Sequence, residues 1–497
     1  MNTWLTNRNS IKTIGLLLIL AIFITACGGS AAPEPATQPA EDETTSEATA
    51  TNTDEPATGN IEDTAPISDT MDEMQTEPVT DTQDEAGEPT ETVTDTIAMD
   101  TQETDQPSES SADGNAPLKT DYLEFGVVPH LYYTDYERAL QLTQNAGFDW
   151  IRQQVVWKDM EMFEPENKYV WDQLDPIVEA ANNYNLKLMI SIVQSPEQYN
   201  PQHGLPENPE DLGNFVEAMV QRYGDKIQAY EIWNEQNLAH ETGGRIVPED
   251  VGNYVEILME CYTRIKAINP DVYVLAGAPS TTGFTREDVA LADLDYYRAM
   301  YSYKDGIIDG YFDVQAVHPS GSANPPDTIW PDNPSDAEGW TDDSTFYYRH
   351  IEHVREIMEE YGLGDHQIWI TEYGWATENT SPGYEFGNQV TFEEQAEYIT
   401  GAMQRTYEEY PWVGVMFLWN LNFAVTWNEH LSFLQQKEDI TEEEKEMIDL
   451  FWNEDDPAQP LHEQASFGIL SGDWTPRPAY NEVQRLIAEI KQEQGRE

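Results

Sequence analysis

The sequence predicts an α/β protein: one (β/α)₈ TIM barrel, preceded by a signal peptide and a disordered acidic linker. Three observations carry that expectation. Eight short apolar runs alternate with amphipathic stretches through residues 121–497, 13 of the 14 tryptophans fall in the same segment, and residues 28–120 contain no Phe, Tyr or Trp. Length alone would suggest about three domains at ~150 residues each, but disordered stretches and large barrels break that rule. The 497 residues carry 93 acidic against 25 basic side chains, a formal net charge of −68. Nucleic acid and an anionic membrane face both need a cationic surface, so neither is expected as a partner. Cys27 and Cys261 are the only cysteines, too few for a disulfide framework or a multi-cysteine metal site.

Residues 1–27 come first. Their only charges are Arg8 and Lys12, followed by the 13-residue apolar run Ile14–Ala26. A basic start, a short apolar stretch and small residues before a cysteine describe an export signal. The run falls short of the ~17–25 residues that a membrane span needs. Ile24-Thr25-Ala26-Cys27 resembles the bacterial lipobox, in which the cysteine is lipidated and becomes the mature N-terminus. That implies lipidation at Cys27 and an extracytoplasmic protein anchored to the cell membrane through this cysteine alone, with ordinary secretion as the alternative.

Residues 28–120 follow, with 24 acidic residues, 19 Thr and a single basic residue, Lys119. Such a segment cannot bury enough apolar area to offset chain entropy, and its like charges repel. It is expected to stay extended, as a tether for the next domain.

Residues 121–497 hold 69 acidic and 22 basic residues, a net of −47. Their length and aromatic content permit one large domain, expected to act as a monomer. The strand candidates are Phe125–His130, Trp150–Trp157, Leu186–Gln194, Ile227–Glu235, Val272–Ala278, Phe312–His318, Gln367–Tyr373 and Val413–Asn420. Helical patterns lie between them. Asp211–Tyr223 puts Phe215, Val216, Met219, Val220 and Tyr223 on one face, and Thr391–Tyr407 opens on a Thr391/Glu394 capping box. Strand–helix alternation points to parallel βαβ units, and eight of them favour a closed barrel. Cys261 falls on one helical stripe with Tyr254, Leu258 and Ile265, the setting of a buried structural thiol.

Barrel chemistry sits at the C-terminal ends of the strands. Strand 4 ends in Trp233-Asn234-Glu235-Gln236-Asn237 and strand 7 in Thr371-Glu372-Tyr373-Gly374-Trp375. These strands lie across the barrel mouth, so Glu235 and Glu372 can face one sugar-sized gap. Glycoside hydrolysis asks for such a pair, one carboxyl to protonate the leaving oxygen and one to attack the anomeric carbon.

Tyr230-Glu231-Ile232-Trp233-Asn234-Glu235 and Trp369-Ile370-Thr371-Glu372-Tyr373-Gly374, together with the lead into the last helix at Phe467–Tyr480, resemble the clan A retaining glycoside hydrolases. The match is closest to families 39 and 5 and runs from about residue 123 onward. The resemblance implies Glu235 as general acid/base and Glu372 as nucleophile. It also implies Arg152 beside the nucleophile, Asn234 on the sugar 2-hydroxyl and Trp419 as the floor under the reacting sugar. A structural salt bridge is the alternative for Arg152, and a core position for Trp419. His318 ends strand 6 and His130 ends strand 1; both are candidate sugar contacts, with His130 equally at home as a rim residue. Two positions depart from the pattern. Gln236 replaces a frequent Pro, and Ser320 stands where a tyrosine usually partners the nucleophile, leaving Tyr373 or a loop tyrosine to substitute.

Two long connections, Ser320–Ser344 with Trp330 and Trp340, and Ala424–Ser466 with Trp427, Phe433 and Trp452, are expected to shape the cleft. No metal cluster or phosphate-cradling loop appears, so no cofactor is expected. The expected substrate is a neutral β-linked glycan, because the domain's negative charge would repel polyuronates and sulfated chains. The same charge predicts a salt-tolerant protein. The competing reading is a non-catalytic carbohydrate-binding lipoprotein with a degenerate barrel.

Overall fold

The computed structural model describes residues 116–496, apart from 133, 163–167, 338–339, 379–380, 382 and 438. The export signal, Cys27 and nearly all of the acidic linker lie outside the described residues.

Eight parallel strands close on themselves in sequence order. They are β1 Glu124–Val127, β2 Trp150–Val156, β3 Lys187–Val193, β4 Ala229–Ile232, β5 Tyr273–Ala276, β6 Val314–Val317, β7 Gln367–Tyr373 and β8 Val413–Leu418. Closure is shown by β1 pairing with β8, from Glu124 opposite Val415 to Val127 opposite Leu418. Both faces of these strands are covered, which is why they read as continuous apolar runs instead of alternating ones.

Among the described residues one helix of at least ten residues crosses between each pair of consecutive strands: α1 Tyr136–Asn145, α2 Leu174–Asn183, α3 Pro209–Tyr223, α4 Val251–Ile268, α5 Asp293–Ser302, α6 Ile351–Glu360 and α7 Phe392–Glu409. In α3 the Asn208 side chain accepts the Glu210 N–H, and Pro209 opens the first turn, a start suited to a helix. Its buried face is Leu212, Phe215, Val216, Met219, Val220 and Tyr223. At about 1.5–3 kcal/mol for each fully buried large apolar side chain, this far outweighs the ~1 kcal/mol that a mid-helix glycine, Gly213, costs. The Thr391/Glu394 capping box forms as expected. Cys261 is buried in α4 beside Tyr254, Leu258 and Ile265; burial pushes its thiol up, away from reactivity.

The segment after β8 differs from the long cleft loop expected there. It folds as α8 Phe423–Gln435 and α9 Glu442–Phe451, ahead of the closing helix α10 Pro478–Glu493. Trp427 is buried with Phe423, Leu431 and Ala465, with Phe451 and Trp452 packed against them. These aromatics stabilise the helix pair; they do not line the cleft. Among the described residues no helix is long and apolar enough to cross a membrane.

The barrel interior is layered. Trp150, Met189, Trp369, Val415 and Phe417 plug its lower part, with Trp150 edge-on to Trp369 at 5.0 Å. Two residues further along β2, the fully buried Arg152 begins a polar layer.

Candidate active site

β2 alternates strictly, so Trp150 and Arg152 both point inward while Ile151 joins the outer layer. Glu231 reaches the interior in the same way, two residues after the inward Ala229. Strand 4 then breaks its alternation. Trp233 has φ 68° and Glu235 φ 51°, left-handed values that a bulky residue adopts only when the surroundings impose them. Trp233 packs into the outer layer, where its indole N–H donates to the Glu241 carbonyl. That frees Asn234 to turn inward toward Arg152. β4 therefore ends at Ile232, three residues earlier than the sequence suggests.

Arg152 is the hub. Its Nη1 lies 2.6 Å from Glu372 Oε1. Nε and Nη2 sit 2.8 and 2.7 Å from Glu231 Oε2. Nη2 also donates to Asn234 Oδ1 at 2.7 Å and Ser191 Oγ at 3.2 Å. Burial works against its charge, but the Glu231 and Glu372 carboxylates outweigh it and raise the guanidinium above its ordinary value. Because Arg152 occupies Oδ1 of Asn234, the amide presents Nδ2 as its remaining donor.

His318 lies between the two glutamates. Its Nδ1 is 3.3 Å from Glu235 Oε1 and its Nε2 is 3.8 Å from Glu372 Oε1. Burial, and then the Arg152 charge, hold it well below its usual range, so the ring is neutral. A neutral imidazole has one donor and one acceptor nitrogen. It therefore suits one protonated and one ionised carboxyl.

The two glutamates differ for the same reasons. Burial pushes Glu372 up to about 7, with Arg152 pulling down and Glu231 pushing up. Burial also raises Glu235, and the Glu372 charge raises it further. Arg152 touches Glu372 directly and not Glu235. The first proton to leave therefore comes from Glu372, and Glu235 keeps its own to higher pH.

Both carboxyls face an open pocket whose empty space, the solvent at its mouth included, is about 700 Å³. Trp340, Phe346, Tyr373, Tyr384, Phe386, Trp419 and Phe467 form its aromatic lining, and among the described residues Glu235 and Glu372 are the only lining residues with acidic or basic side chains apart from the neutral His318. Buried polar atoms without a hydrogen-bond partner gather here, among them Glu235 Oε2 and His318 Nε2. Such atoms call for a ligand or ordered water.

The other expected residues divide. Trp419 borders the cavity, and its indole N–H is held by Gln464 at 2.7 Å. Gly374 lies against it, where a Cβ would come 2.4 Å from the Trp419 carbonyl oxygen. Trp340 from the first long connection forms part of the wall, edge-on to Phe346 and Phe386. His130 does not line the cavity; it sits edge-on to Trp419 and Phe423, with burial lowering it to about 3. Tyr373 borders the cavity, yet its ring packs on Tyr348, and among the described residues no hydrogen bond joins it to Glu372. The expected partner of the nucleophile was Tyr373 or a loop tyrosine; a register irregularity lies between Ile370 and Tyr373, and Tyr373 packs with the outer layer while its edge reaches the cavity, which the loop residue Tyr384 also lines. Glu231 was missed. Its signal was a charge between Tyr230 and Ile232 in an otherwise apolar strand, the same signal that singled out Arg152.

A closed (β/α)₈ barrel with two buried glutamates at the ends of β4 and β7, one of them on an arginine, defines a glycosidase. The family comparison agrees. The family profile described as cellulase (glycosyl hydrolase family 5) matches residues 118–413, and the chain belongs to that family. Among solved structures it is similar to a family 39 glycoside hydrolase from the gut symbiont Bacteroides cellulosilyticus WH2, at 19% identity and TM-score 0.50 over 74% of this chain. The match spans 64% of that protein's length. A monomeric β-xylosidase from Caulobacter crescentus CB15 matches at 17% identity and TM-score 0.49, over 75% of this chain and 70% of its own. Thermotoga maritima Cel5A, solved with mannotriose, matches at 14% identity and TM-score 0.44, over 73% and 97%. No curated protein matches the sequence.

Proposed function

We propose that this glycosidase cleaves β-glycosidic bonds of a neutral oligo- or polysaccharide with retention, using Glu372 as nucleophile and Glu235 as general acid/base. The asymmetry of the carboxyls carries the reading: of Glu235 and Glu372, Arg152 contacts only Glu372, while burial and the Glu372 charge keep the proton on Glu235. Glu372 attacks the anomeric carbon as Glu235 gives its proton to the departing oxygen. Water then attacks the glycosyl-enzyme ester, with Glu235 taking up its proton. Asn234 Nδ2 is the donor available to the sugar 2-hydroxyl, a contact that strengthens in the transition state.

Neutral substrate follows from the cavity walls. They offer aromatic faces and hydroxyls and, among the described residues, no Lys or Arg to pair with a uronate or sulfate. The lipobox-like run ending at Cys27 supports an extracytoplasmic, membrane-anchored enzyme. A panel of aryl β-glycosides and neutral polysaccharides tests the reading on the full chain. Glu372→Ala is expected to abolish turnover, whereas Glu235→Gln retains slow hydrolysis of substrates whose leaving group needs no protonation. Undiminished activity in Glu372→Ala would refute it.

A further inference from the structure

Arg152 is completely buried and faces two carboxylates at once. One is Glu372; the other, Glu231, is also completely buried, does not line the cavity that Glu372 faces, and spends one oxygen on both Nε and Nη2 of the guanidinium. The remaining neighbours, Asn234 and Ser191, are uncharged. We infer that Glu231 is a positioning residue whose task is to neutralise Arg152 while Glu372 is esterified, and so to stabilise the glycosyl-enzyme intermediate. This rests on the assignment of Glu372 as nucleophile.

The charge balance of the first step shows why such a partner is needed. A Glu372 oxygen forms a bond to the anomeric carbon as the glycosidic carbon–oxygen bond breaks, and that bond's electron pair goes to the leaving oxygen together with the Glu235 proton. Glu372 changes from carboxylate to neutral ester, and Glu235 from acid to carboxylate. The site's total charge is unchanged, but its negative charge has moved off Arg152. With Glu372 as sole partner, Arg152 would become an unpaired cation with no access to water, the arrangement buried ion pairs tolerate worst. Glu231 keeps it paired in both states. In the free enzyme Glu231 also weakens the grip of Arg152 on Glu372, leaving the nucleophile more basic.

Removing this charge should therefore act in opposite directions on the two steps. In Glu231→Gln, Arg152 holds the ionised Glu372 more tightly and is abandoned in the intermediate. Formation slows and breakdown quickens. A residue that served packing alone would slow both.

The groups facing Glu372 and its partner are Arg152 from β2, Glu231 from β4, Glu235 just beyond β4 and the neutral His318 just beyond β6, with Glu241 acting on Glu235. Of these, substitution of Glu231 removes one negative charge, so the acidic limb of kcat/KM moves to lower pH.

The test uses the full chain and 2,4-dinitrophenyl 2-deoxy-2-fluoro-β-glycosides of glucose, xylose, mannose and galactose. Mass spectrometry of the wild-type adduct first locates it. An adduct absent from Glu372 sinks the nucleophile assignment itself, a failure separate from that of the inference. With the adduct on Glu372, Glu231→Gln is expected to be inactivated on the order of 100-fold more slowly than wild type. It should also reactivate several-fold faster and show its acidic limb shifted down. Glu231→Asp keeps the charge, so its reactivation rate and limb should stay near wild type even where its turnover falls. Slower reactivation in Glu231→Gln, an unmoved limb, or a Glu231→Asp variant that reactivates several-fold faster than wild type would each overturn the proposal.

Discussion

Replacing Glu372 by Gln should stabilise the protein progressively as the pH is raised, because the nucleophile is a carboxyl buried against its preference. Burial raises it from 4.5 to about 7, even with Arg152 2.6 Å away. A group whose folded value lies above its unfolded one binds more protons in the native state. Its contribution to stability is complete below the unfolded value and is lost as pH rises through the folded one. The window is therefore pH ~4.5 to ~7. At about 1.4 kcal/mol per unit, the wild type should lose roughly 3 kcal/mol relative to Glu372→Gln across it. The pull of Arg152 is already contained in the folded value, and the difference between an amide and a neutral carboxyl adds only an offset that does not vary with pH, so the slope isolates the carboxyl. Urea unfolding of both proteins at intervals from pH 4.5 to 7.5 measures it. A flat difference would refute the reasoning. So would a wild type that gains on the variant as pH rises, since that would mean Arg152 outweighs burial and Glu372 sits below its ordinary value.

Trp340 offers an aromatic face to the cavity and touches neither carboxyl, so Trp340→Ala should raise KM on oligosaccharides about tenfold, at ~1–2 kcal/mol of lost binding, and leave kcat nearly unchanged; initial rates across substrate concentration check this. The net charge of −47 on residues 121–497 implies self-repulsion that salt relieves, since the Debye length falls to about 3 Å at 1 M. Thermal unfolding with and without 1 M NaCl should therefore show a higher Tm in salt, and turnover should persist there; collapse of either would contradict the charge argument.

Much of the barrel was legible because its strands are buried on both faces and therefore stand out as apolar runs. Strand ends were less legible. β4 stops at Ile232 because Trp233 and Glu235 take left-handed backbone values, which composition does not announce. Glu235 and Glu372 were visible as acids beside aromatics at strand ends, and Arg152 as a charge in an apolar strand. Glu231 carried the same mark and went unread, because a strand residue's partner comes from a strand far away in sequence. The α8–α9 pair was read as loop for a more ordinary reason. Thr441 and Glu444 form a capping box like that of Thr391 and Glu394, but the helix behind them begins with a run of charges that masked its apolar face. The role of His318 between both glutamates was invisible, since it depends on barrel closure bringing β4, β6 and β7 around one point.

The central claim is a two-step displacement through Glu372, and the configuration of the first-formed product tests it most directly. Proton NMR of the aryl β-glycoside hydrolysed fastest, followed from the first seconds and before mutarotation, is predicted to show the β-hemiacetal appearing first and the α-anomer growing in later. Initial release of the α-anomer would contradict the account.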